Sequence, residues 1–116
     1  MWATSVAKVL SGEVTCEWAY WFKAHFKHDK RESGDWTMTQ AAHMEMVRRW
    51  ADDLVERGYS VRLEGQNAFH ATGTKATVGV RPDLVAVRGT ELRILDCKTG
   101  ASRGWHRFQV LLYMLL

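Results

Sequence analysis

The feature that most constrains the fold is the run from Arg81 to Lys98. Leu84-Val85-Ala86-Val87 and Glu91-Leu92-Arg93-Ile94-Leu95 lie on either side of Arg88-Gly89-Thr90. Two apolar, partly β-branched stretches joined by a short glycine-bearing turn predict an antiparallel hairpin. The second strand is predicted over 91–98, so Asp96 and Lys98, two residues apart, project from the same face. Asp83 stands at the start of the first strand, and so tight a turn brings it level with Asp96 at the open end of the hairpin. Val85, Val87, Leu92 and Ile94 surround these groups, where an unpaired charge costs on the order of several kcal/mol.

Two carboxylates so placed form a hard oxygen site of the kind that takes Mg²⁺ or Mn²⁺. A lysine beside them can orient a water or steady negative charge on a phosphate. The plain alternative for Asp96 and Lys98 is a buried salt bridge on a sheet edge.

Elsewhere the chain alternates helix and strand signals. From about Cys16 to His28, Trp18, Trp21, Phe22, His25 and Phe26 recur at helical spacing. These large residues are either core or a face that stacks on single-stranded bases. Lys27 to Gly34 is charged and reads as a loop. A second helix is expected from about Met38 to Arg57, with Thr37 and Gln40 as a capping box and Gly58 as the stop. Its stripe His43, Met46, Val47, Trp50 and Leu54 is expected to be buried, while Glu45, Arg48, Arg49, Asp52 and Asp53 pair on the other side. Beyond Gly58, strands are expected at 59–64 and 67–72, joined as a hairpin through Gly65-Gln66, and again from 76 to 87. A last helix starts at Arg103 or Gly104.

This order predicts an α/β (α+β) fold, with helices flanking a central mixed β-sheet. The 116 residues fit one domain, an N-terminal helical segment over 1–36 followed by a core over 37–116. The last helix ends in exposed apolar residues. Either a protein partner or a second copy covers that face, or the chain continues past Leu116.

The formal charge of +3 suits a polyanionic partner. No apolar stretch reaches the roughly 18 residues of a membrane span, and Lys8, Glu13 and Glu17 interrupt any secretory leader. The two cysteines, Cys16 and Cys97, form no Cys-x-x-Cys pattern. A reducing, cytoplasmic setting with free thiols is expected.

Arg81-Pro82-Asp83-Leu84, then Leu95-Asp96-Cys97-Lys98-Thr99-Gly100, then Gln109-Val110-Leu111-Leu112-Tyr113 resemble the motifs of the PD-(D/E)XK nuclease superfamily. The Lys-Thr-Gly and Gln-x-x-x-Tyr wording is similar to its RecB-like branch, which includes CRISPR-associated exonucleases. The resemblance covers roughly residues 37–116 and implies a restriction-endonuclease-like core that hydrolyses DNA with Mg²⁺ or Mn²⁺. It implies Asp83 and Asp96 as metal ligands and Lys98 as the catalytic lysine. Gln109 and Tyr113 would line the site or contact DNA, or pack as a polar helix flank. His43 takes the place of the branch's helical metal-ligating histidine. Glu45, the competitor, lies about 200° around the helix. Arg103 and Arg107, with His106, would meet phosphates or simply solvate the helix start.

Some members bind an iron–sulfur cluster through four cysteines. Cys16 matches the first, but Cys16 and Cys97 alone cannot complete a cluster. The superfamily core usually carries another strand after the Gln/Tyr helix, so a core lacking its last strand is one reading of this chain. Two further readings share the motifs: an inactive DNA-binding or assembly module, and a structure-specific endonuclease of the junction-resolvase type.

Overall fold

The computed structural model of the protein describes the backbone of residues 1–27 and 36–116, and the side chains of all of these except 36–38. Within that range lie four α-helices, a 3₁₀ turn and five strands, a mixed α+β fold. The chain divides into two compact units. One comprises Met1–Arg31, Phe69–Val80 and Arg103–Leu116, the other Glu32–Ala68 and Arg81–Ser102.

The second unit pairs one long helix with a three-stranded sheet. Helix α3 spans Trp36–Glu56, which puts Thr37 inside the helix rather than at its N-cap. The helix ends as the sequence predicts. Gly58 has φ +86°, a conformation that costs glycine little. Its N–H bonds the Val55 carbonyl at 3.0 Å, and the Tyr59 N–H bonds the Leu54 carbonyl at 3.0 Å. This crossed pair satisfies two otherwise orphaned carbonyls. The same turn drops Tyr59 against Leu54, and both join Ala86 in the buried core, with Val61 and Leu95 packed on them.

Strands β1 (Ser60–Leu63), β4 (Leu84–Arg88) and β5 (Glu91–Leu95) form an antiparallel sheet in the order β1-β4-β5. The β4–β5 hairpin is the predicted one, with Arg88 opposite Glu91 and Leu84 opposite Leu95. Strand β5 ends earlier than expected, at Leu95, so Asp96, Cys97 and Lys98 follow it as irregular backbone. Val61, Ala86 and Leu95 turn toward α3. On the other face Val87 and Leu92 are exposed, not buried as the apolar pattern suggested.

The first unit is built on helices α1 (Ala3–Leu10), α2 (Glu17–His25) and α4 (Gly104–Leu115) with the hairpin of β2 (Phe69–Thr72) and β3 (Thr77–Val80). Helix α1 has no counterpart in the sequence reading. Ala3 and Ala7, one turn apart, are fully buried, and their small side chains let α1 pack closely on α4. Ahead of α1 the chain runs along β3. The Gly79 N–H bonds the Met1 carbonyl at 2.7 Å, and the Trp2 ring covers Gly79 so closely that a Cβ there would stand 2.7 Å from it. Only glycine admits that approach. Trp18 and Trp21 on α2 and Phe26 at its C-cap are exposed, so this aromatic face is surface rather than core.

The expected hairpin through Gly65-Gln66 does not form. Residues Glu64–Gln66 make the 3₁₀ turn, and β1 pairs with β4 while β2 pairs with β3. The central mixed sheet is accordingly two small antiparallel sheets. The charged loop expected over 27–34 lies, apart from Lys27, outside the described residues, as does the side chain of Thr37. Among the described residues no helix is long and apolar enough to cross a membrane.

Candidate active site

The β4–β5 register sets up the site. Leu84 opposite Leu95 is the last ladder pair, so Asp83 and Asp96 occupy the next positions on adjacent chain segments. Pro82 cannot donate a ladder hydrogen bond, which suits the place where pairing stops. Asp83 is 8% exposed. Its Oδ2 accepts the Cys97 backbone N–H at 2.7 Å and lies 3.2 Å from His43 Nε2. The helix thus meets the strand end through an imidazole–carboxylate contact, with the His43 side chain 28% exposed. His43 is half-buried on the face of α3 that also carries Leu54, while Glu45 is exposed and pairs with Arg49 at 2.8 Å. Of the two candidates, His43 is the one that reaches the carboxylates.

Asp96 is nearly enclosed, its side chain 5% exposed, and it is ion-paired to Lys98. The pair forms although neither residue lies in a strand. Burial pushes the Asp96 carboxyl above the usual carboxylate range; the Lys98 hydrogen bond and charge oppose that push, the Asp83 charge adds to it, and His43 draws it down. Burial likewise pushes the Cys97 thiol up to about 11, with the Asp83 and Asp96 charges adding to it. Asp83, Asp96, Lys98 and His43 therefore share one electrostatic neighbourhood. The Cys97 amide, which anchors Asp83, was not foreseen, because a backbone donor leaves no residue-type signal.

The thiol has a checkable consequence. A pKa raised above the ordinary value of 9.0 contributes stability that is full below about pH 9 and is lost as pH rises toward 11. At pH 8, Cys16, which is exposed, is expected to react promptly with a disulfide reagent such as DTNB, and Cys97 only on unfolding. Rapid release of two equivalents from the folded chain would contradict this placement.

Among the described residues no three His, Cys, Asp or Glu side chains converge closely enough to hold a metal ion as they stand. The donor chemistry nonetheless fits a divalent cation. An imidazole and two carboxylates stand together, and one carboxylate resists ionisation partly because the other's charge is close. Oxygen donors of this kind, set beside an imidazole, suit a hard cation.

The remaining predicted residues belong to the first unit. Gln109 and Tyr113 share one face of α4, as their spacing implies, and are 3% and 6% exposed. Gln109 Nε2 donates to Tyr113 Oη at 2.5 Å and to Thr4 Oγ1 at 3.2 Å. Arg103 is the N-cap of α4, with its Nη1 3.7 Å from Glu13 Oε1 and its N–H donating to His106 Nδ1 at 3.3 Å. Arg107 is exposed on α4. These contacts lie within the first unit and tie α4 to α1 and to the loop that follows it.

A hairpin with paired acidic residues at its open end, a nearby lysine and a helix carrying a further ligand-type side chain defines a nuclease-like α+β core. The family model of the PD-(D/E)XK nuclease superfamily matches residues 5–116, nearly the whole chain. The chain belongs to that superfamily. The match also takes in most of α1 and all of α2, which lie ahead of the core expected over 37–116. No curated protein and no solved structure shows a significant match to the chain.

Proposed function

We propose that this chain is a metal-dependent deoxyribonuclease of the RecB-like kind, acting on DNA from an end. One observation carries the reading. Asp83, fixed by the Cys97 amide and touching His43, stands beside a nearly enclosed Asp96–Lys98 pair. A carboxylate held by burial toward its protonated form, with a second carboxylate and a lysine beside it, is the arrangement that points to a functional site.

His43, Asp83 and Asp96 would hold the cation. Bound there, Mg²⁺ or Mn²⁺ would supply Lewis acidity and a bound water of lowered pKa. Lys98 opposes the effect of burial on Asp96 and so favours its ionised, ligating form. Its side chain is 32% exposed, and from there the ammonium would offset charge developing on the phosphoryl oxygens. The Cys97 amide holds the Asp83 carboxylate in place, so the acceptor atoms need little reorganisation when substrate arrives.

The test supplies linear and circular single-stranded DNA with Mn²⁺, beside a reaction containing EDTA. Loss of the linear strand, survival of the circle and silence in EDTA are expected. Cutting of the circle would make the chain an endonuclease, and cutting in EDTA would remove the metal from the reading.

A further inference from the structure

The second unit carries a pocket that the active site does not use. It measures about 410 Å³ and lies between α3 and β5. Leu54 and Leu95 are its apolar lining residues, the Trp50 indole lines it as well, and Arg49, Arg57 and Arg93 stand around it. Trp50 was expected in the core, yet it is 50% exposed. Helix α3 packs chiefly on β1 and β4, and Trp50 stands beside Arg93 and Leu95 of β5 with half of its surface left open.

Each guanidinium meets a carboxylate. Arg49 pairs with Glu45 at 2.8 Å, Arg57 with Asp53 at 3.1 Å and Arg93 with Glu91 at 2.7 Å, with side chains 40–77% exposed throughout. Ion pairs this exposed are weak, and a guanidinium has five donors, so each arginine keeps N–H groups for a second anion. Asp53 is the one acidic residue among the lining groups. Among the lining residues three guanidiniums stand against one carboxylate beside a half-exposed indole, and the Glu45 and Glu91 partners at the rim balance the remaining charge. That combination recognises a phosphodiester strand with unstacked bases, since every base offers a face to an indole and every phosphate a place for a guanidinium.

We propose that this pocket is a subsite for single-stranded DNA, in which a base stacks on Trp50 and the flanking phosphates are held by Arg49, Arg57 and Arg93. The proposal rests on the nuclease reading above and adds the state of the substrate. Trp50 lies seven residues beyond His43 on α3, roughly 10 Å by helical rise. A strand gripped there is held within a few nucleotides of the acidic cluster. A paired duplex keeps its bases stacked on one another and leaves the indole without a partner.

Fluorescence anisotropy tests this with a labelled oligothymidylate of about 12 nucleotides, within the usual single-strand site sizes. EDTA is present so that nothing is cut. Trp50→Ala is expected to weaken binding roughly 10-fold, within the range that base–aromatic stacking supplies, while Trp50→Phe recovers most of the loss. Arg57→Gln and Arg93→Gln are each expected to weaken binding several-fold and to flatten its salt dependence by about one unit of slope. Affinity within twofold of wild type for Trp50→Ala overturns the proposal. So does an equal loss on a hairpin duplex, which would show that stacking is not involved. If the wild type cuts DNA and the pocket variants bind and cut as it does, the subsite falls and the nuclease reading stands. If the wild type does not bind a single strand but cuts linear duplex with Mn²⁺, the subsite falls and the nuclease reading stands; if it cuts neither, both fall.

Discussion

Lys98→Ala is expected to lower Mn²⁺-supported cleavage of linear single-stranded DNA by about 10³-fold or more, with Asp96→Ala at least as severe. Removing one preorganised charge-stabilising group costs an active site on the order of 10²–10³ in rate. Lys98 has a second role that raises the figure. It is the ion-pair partner of a carboxylate whose side chain is 5% exposed and whose burial already favours the protonated form. Without the ammonium, Asp96 holds its proton to still higher pH, and a protonated carboxyl is a poor ligand. The Lys98→Ala defect should therefore shrink as pH is raised. Initial rates at matched protein stability, measured across a pH series, check both parts. Undiminished cleavage by both variants would sink the catalytic assignment.

The largest effect on stability is expected at Leu84. Its side chain has no exposure, and it sits in β4 opposite Leu63 on one side and Leu95 on the other. Leu84→Ala removes buried volume from the centre of the sheet and should cost about 2–5 kcal/mol. That is a large part of the roughly 5–15 kcal/mol that holds a typical domain together. Leu92→Ala, at a position 60% exposed on the opposite face, should cost well under half as much. Urea denaturation of the two variants beside wild type compares them directly. Equal midpoints would mean that the core does not run through β4. Because Leu84 follows Asp83, the damaged variant should also lose activity before it loses its fold.

What could be read from the sequence follows from how local each decision is. The β4–β5 hairpin was legible because Gly89-Thr90 leaves two apolar strands no other partner nearby, and the register then follows from the turn. Gly58 was legible for the same reason, since helix termination is decided within a few residues. The partner of β1 was not. Gly65-Gln66 looks like a hairpin turn, yet the 3₁₀ turn there sends the chain away, and β1 finds β4 through long-range packing. Helix α1 was missed although Ala3, Val6, Ala7 and Leu10 recur at helical spacing; its buried residues are alanines, which pack by being small. Trp50 misled in the other direction. Its spacing is that of a core residue, yet half of its surface is left open beside β5. That Asp83, Asp96 and His43 come near one another was legible in residue type and spacing, while the Cys97 amide that holds Asp83 was not.

The clamp on Asp83 bears on how sequences like this one can drift. Because the donor is the amide of residue 97 and not its side chain, selection acting through this contact is blind to which residue stands there. Any side chain that tolerates the buried slot now filled by the thiol would serve, and proline alone, lacking the N–H, is forbidden by the bond itself. Cys97 is thus a replaceable occupant of an irreplaceable peptide link, and a comparison of sequences would find the clamp only as a missing proline.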